Sequence, residues 1–98
     1  MKTITLSLKR KWFNMIASGE KKEEYREIKP FWTLRLTPFH RYDAVTFTLG
    51  YPKADDMSRR VTYRIKDIHI GYGKQEWGAE PDTNYYIISL GERLLKED

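Results

Sequence analysis

Between Lys22 and Ile28 the sequence alternates like a β-strand but offers no oily face. Glu23, Tyr25 and Glu27 fall on one side, and Lys22, Glu24, Arg26 and Ile28 fall on the other. A strand in a small domain ordinarily turns one apolar face to the core. A strand charged on both faces belongs at a sheet edge or beside a polar cleft. Charge spent on inward-facing positions is a pointer to function.

The rest of the chain must therefore supply the core. At 98 residues it is expected to form one domain, spanning 1–98, with little apolar material to spare. Hydrophobic residues make up 40% and charged residues 33%, the balance of a compact domain with a highly charged surface. With no cysteine, disulfides and thiolate metal sites are excluded. That permits a cytoplasmic location, which is the expectation here. Met1–Leu8 alternates instead of forming an apolar run, so it does not read as a signal peptide. No run approaches the length of a membrane-spanning helix.

Residues 1–43 hold ten Lys/Arg and five Asp/Glu, a balance of +5, whereas residues 44–98 hold eight and nine, a balance of −1. The net +4 thus belongs to the N-terminal half. Such a field favours anionic partners, nucleic acid being the commonest, although solubility alone also explains many basic surfaces.

Thr3–Leu8 reads as a strand, and Lys11–Ser18 as a helix with Trp12, Met15 and Ile16 on one stripe, widened by Phe13. By that phase Trp12 belongs to the core. Gly19 stands where a left-handed C-cap is expected. The charged strand follows and Pro30 ends it. Residues 29–43 are aromatic and irregular, and Phe31–Leu36 fits a short helix. Ala44–Leu49 alternates cleanly, with Val45, Phe47 and Leu49 on one face. Gly50–Ser58 is a polar turn. Arg60–Ile70 is a long strand whose apolar parity slips, which predicts a β-bulge near Lys66-Asp67. A thirteen-residue loop, Gly71–Thr83, carries Tyr72, Trp77 and three acids, and a loop of that length is functional or mobile. Asn84–Leu90 is oily on both faces and so predicts a central strand, after which Glu92–Asp98 is expected to fray. The fold class is α+β, mainly β: a small closed or half-closed β-barrel of about five to six strands with one or two short helices.

Strand, short helix and then Ile16-Ala17-Ser18-Gly19-Glu20-Lys21-Lys22-Glu23-Glu24-Tyr25-Arg26 together resemble the signature of the ASCH domain, a member of the PUA-like β-barrel superfamily. Gly19, Lys21, Glu24 and Arg26 are the positions that carry the likeness, which covers about the first 28 residues. A weaker echo is Tyr42-Asp43 before a strand, where the family often has Gly-Asp, and Tyr85–Leu90 fits the family's last barrel strand. The resemblance implies a PUA-like barrel with a cleft beside the motif and an RNA-related role. One bacterial branch is similar but hydrolyses N4-acetylcytidine. It uses a lysine, a threonine two residues before the arginine, and a glutamate from a later loop. Lys21 matches that lysine, Glu24 stands where the threonine would be, and Glu76 and Glu80 are candidates for the late glutamate.

In a regular strand Glu24 and Arg26 point the same way, and Lys21 sits at its start. Lys21, Lys22 and Arg26 could hold a phosphate, while Glu24 could accept from an exocyclic amine. Trp77 is the candidate for stacking on a splayed base, and Phe31 and Trp32 read as packing. A structural Glu24–Arg26 ion pair is the plainer alternative.

Three functions are open. The first is an RNA- or nucleotide-binding module built on Lys21, Glu24, Arg26, Lys22 and Trp77. The second is a small hydrolase, with Lys21 as nucleophile or base and Glu24 as its acid–base partner. The third is a protein-interaction module using the aromatics of residues 31–42. The expected partner is RNA or a nucleotide, with no membrane partner and no cofactor. His40 and His69 lack metal-ligand spacing, and Gly71-Tyr72-Gly73 lacks a phosphate-loop context. The sequence does not fix the oligomeric state; a monomer is the default.

Overall fold

The structure is a computed structural model and describes residues 1–37 and 41–95. Five strands form one sheet: β1 (Thr3–Leu8), β2 (Glu23–Glu27), β3 (Ala44–Leu49), β4 (Arg60–Tyr72) and β5 (Asn84–Leu94). Their spatial order is β1-β3-β4-β5-β2. β1 and β3 run parallel, which requires the long crossover through α1 (Arg10–Ala17), β2 and α2 (Pro30–Leu36). The remaining neighbours are antiparallel. The sheet curls into a half-closed barrel, so the architecture is α+β and mainly β.

The core lies between the inner face of the curled sheet and the two helices. Ile4, Leu6 and Leu8 of β1 share it with Val45 and Phe47 of β3, Val61 and Tyr63 of β4, and Tyr86, Ile88 and Leu90 of β5. α1 contributes Phe13 and Ile16, and α2 contributes Leu36. The Tyr63 hydroxyl donates to the Ile16 carbonyl, tying α1 to β4 from inside. β5 is central, as its two oily faces predict. Its other face carries a second, smaller cluster of Tyr85 and Ile87 with Ala79, and Tyr25 packs against it.

Several boundaries differ from the sequence reading. β4 shifts register between Ile65 and Asp67, where the bulge is expected, and once more just before it, between Tyr63 and Ile65. It also runs on to Tyr72. β5 continues to Leu94 instead of fraying after Leu90, because Thr62 and Tyr63 of β4 pair with Leu94 and Arg93. Thus Glu92 is a strand residue, held by backbone pairing where its side chain gave no apolar signal. The expectations for Phe39, His40 and the last three residues lie outside the described residues.

β2 pairs only with β5 and is one edge of the sheet; β1 is the other. The two edges do not form a ladder. One Arg26 nitrogen instead donates to the Ser7 carbonyl of β1 at 3.3 Å, crossing the open seam with a side chain. The charged strand therefore satisfies both readings at once: it is an edge strand, and it borders a polar cleft.

Candidate functional site

The turn that ends α1 sets the first site residue. Gly19 adopts φ +88, a conformation open to glycine at little cost. Its amide donates to the Ile16 carbonyl at 3.1 Å, and the Lys21 amide donates to Met15 at 2.9 Å. The chain is thereby folded back under the helix, and the Lys21 side chain points inward, 3% exposed. The Leu90 amide then donates to the Lys22 carbonyl and starts β2 against β5. Glu24 pairs with Ile88 and Arg26 with Tyr86. Directly paired residues share a sheet face, so both charged side chains lie on the inner side with the core.

Glu24 is 5% exposed and holds two cations. Lys21 Nζ donates to Oε1 at 2.9 Å, and an Arg26 terminal nitrogen lies 2.6 Å from Oε2. The guanidinium lies over the Trp32 ring, 4.9 Å from its centroid, and Arg26 Nε is buried with no partner among the described residues. The Lys21 ammonium lies 4.7 Å from the Trp12 ring centroid and 5.6 Å from that of Tyr25. One buried and one half-buried cation meet one carboxylate, which leaves one positive charge in excess beside a shell of aromatic rings.

Beside this cluster is a hollow of about 110 Å³ lined by Trp12, Lys21, Glu24, Tyr25, Trp77, Gly78 and Tyr85. Its outer wall is the segment after β4. A single 3-10 turn, Gln75–Trp77, presents Trp77, and Gly78 follows at φ +104. A Cβ on Gly78 would stand 3.1 Å from the Trp12 ring, so the backbone lies flat against the indole. Tyr25 fastens the segment from the strand side. Its hydroxyl donates to Glu23 at 2.7 Å and accepts from the Lys74 amide at 2.9 Å. The Tyr85 hydroxyl accepts from the Glu80 amide at 3.0 Å. Burial first, and then its bond to Glu23, pushes the Tyr25 phenol well above its ordinary range, against the opposing bond from Lys74. The long loop is thus a braced strap.

No protein-family description, curated protein or solved structure matches this chain.

The structure gathers Lys21, Glu24 and Arg26 into one contact set but gives only Lys21 and Glu24 to the hollow, with Arg26 behind Glu24 towards the seam. Trp77 joins them. Lys22 does not: its side chain is exposed and only its backbone takes part. Glu76 and Glu80 are both exposed, and neither lines the hollow. Besides Gly78, three lining aromatics escaped the sequence reading. Trp12 packs against the core but is only half-buried, because α1 is rotated to bury Phe13 and Ile16, which leaves part of the indole to line the hollow. Tyr25 sits at the opposite parity to Glu24, and only the strap brings its ring into play. Tyr85 lies on the second oily face of β5, and that double-faced pattern was the available signal.

Proposed function

We propose that this chain is an ASCH-type, PUA-like domain that binds RNA or a nucleotide in the cleft of Lys21, Glu24 and Arg26. The observation that carries the reading is the buried Lys21–Glu24–Arg26 cluster opening onto a hollow walled by Trp12, Trp77, Tyr25 and Tyr85. Burying Lys21 and Glu24, with Arg26 half-buried beside them, costs several kcal/mol per buried ion before pairing. A cluster kept only for stability would be closed and neutral; this one retains excess positive charge and a donor–acceptor pair at the hollow's floor. Lys21 can donate to a carbonyl or phosphate oxygen, and Glu24 can accept from an amine. Trp12 already carries Lys11, Lys21 and the Gly78 backbone, so Trp77 is the indole left for a flat ring. Both the charge asymmetry of the sequence and its likeness to the ASCH signature support the same reading.

Hydrolysis has less support. The late glutamates, Glu76 and Glu80, stay outside the hollow, and Glu24 is engaged by two cations.

Titration with nucleoside monophosphates and a short single-stranded RNA tests the proposal. Lys21→Ala and Trp77→Ala should each weaken binding on the order of tenfold. Trp77 sits on the strap, so its removal leaves the core intact. Unchanged affinity in both variants would remove the proposal. Incubation with N4-acetylcytidine separates binding from turnover; release of acetate would install the hydrolase reading instead.

A further inference from the structure

A second surface, away from the hollow, has the chemistry of a strand-binding groove. Ser7, Leu8, Lys9, Arg10, Leu49, Gly50, Tyr51 and Arg59 line an open depression of about 630 Å³ at the ends of β1 and β3. Every charged residue on its lining is a cation. Arg59 shares its charge with Asp56 at 3.3 Å; among the described residues no carboxylate lines the depression itself.

Tyr51 is 95% exposed. A tyrosine seldom shows that much of its ring to water, because the ring is worth burying. The residue before it is anchored to β1 and β3. The Gly50 amide donates to the Leu8 carbonyl at 3.2 Å, and the Gly50 carbonyl accepts from the Thr48 hydroxyl at 2.8 Å. The fold therefore holds an aromatic face out into water beside three cations.

The groove and the hollow share no lining residue, but two contacts link their surroundings. Ser7 lines the groove, and its carbonyl takes the hydrogen bond from Arg26. Lys11, the next residue after Lys9 and Arg10, lies over the Trp12 ring at 4.7 Å, and Trp12 lines the hollow.

We infer that this groove carries the backbone of a single-stranded nucleic acid running from the hollow, with Lys9, Arg10 and Arg59 on its phosphates and one base stacked on Tyr51. The partner is fixed by complementarity: a polyanion matches the cations, and only one with regularly spaced flat rings uses Tyr51. An acidic peptide would leave the ring idle. The inference rests on the nucleic-acid reading above for the class of partner, though not on occupation of the hollow.

Anisotropy titrations with labelled oligouridylates of three and of twelve nucleotides test it. The trimer reads the hollow and the twelve-mer reads hollow plus groove. The twelve-mer should bind the native protein at least about tenfold more tightly than the trimer. Tyr51→Ala should weaken the twelve-mer on the order of tenfold and leave the trimer unchanged. The ring makes no core contact, so the variant folds normally. Lys9→Ala with Arg10→Ala should flatten the salt dependence of twelve-mer binding by roughly 0.7 in log–log slope for each phosphate released. Equal affinity for the two lengths would overturn the inference, as would a twelve-mer indifferent to Tyr51→Ala. So would heparin competing equally well against the native protein and Tyr51→Ala, which would mark a patch for any polyanion. A twelve-mer that binds through Tyr51 while the trimer fails to bind would keep the groove and discard the hollow.

Discussion

Glu24 is the residue on which the cleft depends. It is buried, its two oxygens face two different cations, and nothing else among the described residues neutralises that pair. Removing one member of a buried ion set leaves the others uncompensated, which costs about 3–5 kcal/mol. Here the loss would leave Lys21 and Arg26 with no counter-charge between them. Glu24→Ala is therefore expected to be far more harmful than its loss of side-chain volume suggests. About 3 kcal/mol corresponds to a drop in Tm of at least 10 °C for a domain of this size. Lys21→Met, which keeps the stem and removes the charge, should cost much less, because the Arg26 pair at 2.6 Å survives. Thermal unfolding of both variants checks the argument. A Glu24→Ala protein within about 0.5 kcal/mol of the native one would mean that water reaches the cluster.

At the scale of elements, β2 and the 73–80 strap act as one unit. Neither is held by the main core. β2 hangs on β5 through its backbone ladder, and the strap hangs on β2 through Tyr25 and on β5 through Tyr85. The closest backbone approach in this unit is at Gly73. A Cβ there would stand 2.7 Å from both the Tyr25 ring and the Ala79 side chain. The ring is fixed by two hydrogen bonds and by packing on Tyr85, 5.7 Å between centroids, so it has little room to yield. Gly73→Ala should push the strap outward, displace Trp77 and cost about 1–3 kcal/mol. Hydrogen exchange at the Lys74 and Glu80 amides should quicken more than exchange in β3, and that contrast is the check. Unaltered protection at both amides would show the strap to be independent of Tyr25.

The same unit shows what was legible beforehand. The alternating strands Thr3–Leu8 and Ala44–Leu49 were read correctly to the residue, because period-two burial writes itself into the sequence. The edge position of β2 followed from its lack of an oily face. The inward convergence of Glu24 and Arg26 followed from parity. What stayed hidden depends on contacts distant along the chain. Trp12 reads as core from helical phase alone, and its place at the mouth is set by how α1 is rolled against β4. The extension of β5 past Leu90 is a matter of pairing partners on β4, to which Glu92 and Arg93 give no clue. Tyr25 looks like an arbitrary aromatic until the strap, about fifty residues later, is laid across it.

For the whole molecule, the two tyrosines that tie its parts together make stability depend on pH on the alkaline side. Tyr63 joins β4 to α1, and Tyr25 joins β2 to the strap. Burial raises both phenols above the ordinary value of 10.0; the nearby Arg93 opposes that shift at Tyr63 without cancelling it. The folded protein therefore keeps both protons at a pH where the unfolded chain has begun to lose them. In that range the native state binds more protons than the unfolded state, so stability falls as pH rises. The contribution is whole below pH about 10 and is lost progressively above it, as pH climbs towards the folded-state values. Tyr25→Phe removes one titrating group, together with its bonds to Glu23 and Lys74. It should lower stability by about 1 kcal/mol at neutral pH while making the decline between pH 10 and 11 shallower. Tyr63→Phe should act in the same sense, and the double variant should be the flattest. Urea unfolding midpoints at pH 8, 10 and 11 give the comparison. Parallel curves for native and double variant would place the alkaline weakness elsewhere. Curves that converge as pH rises would show that the two protonated phenols stabilise the fold near neutral pH and that this contribution fades as they ionise.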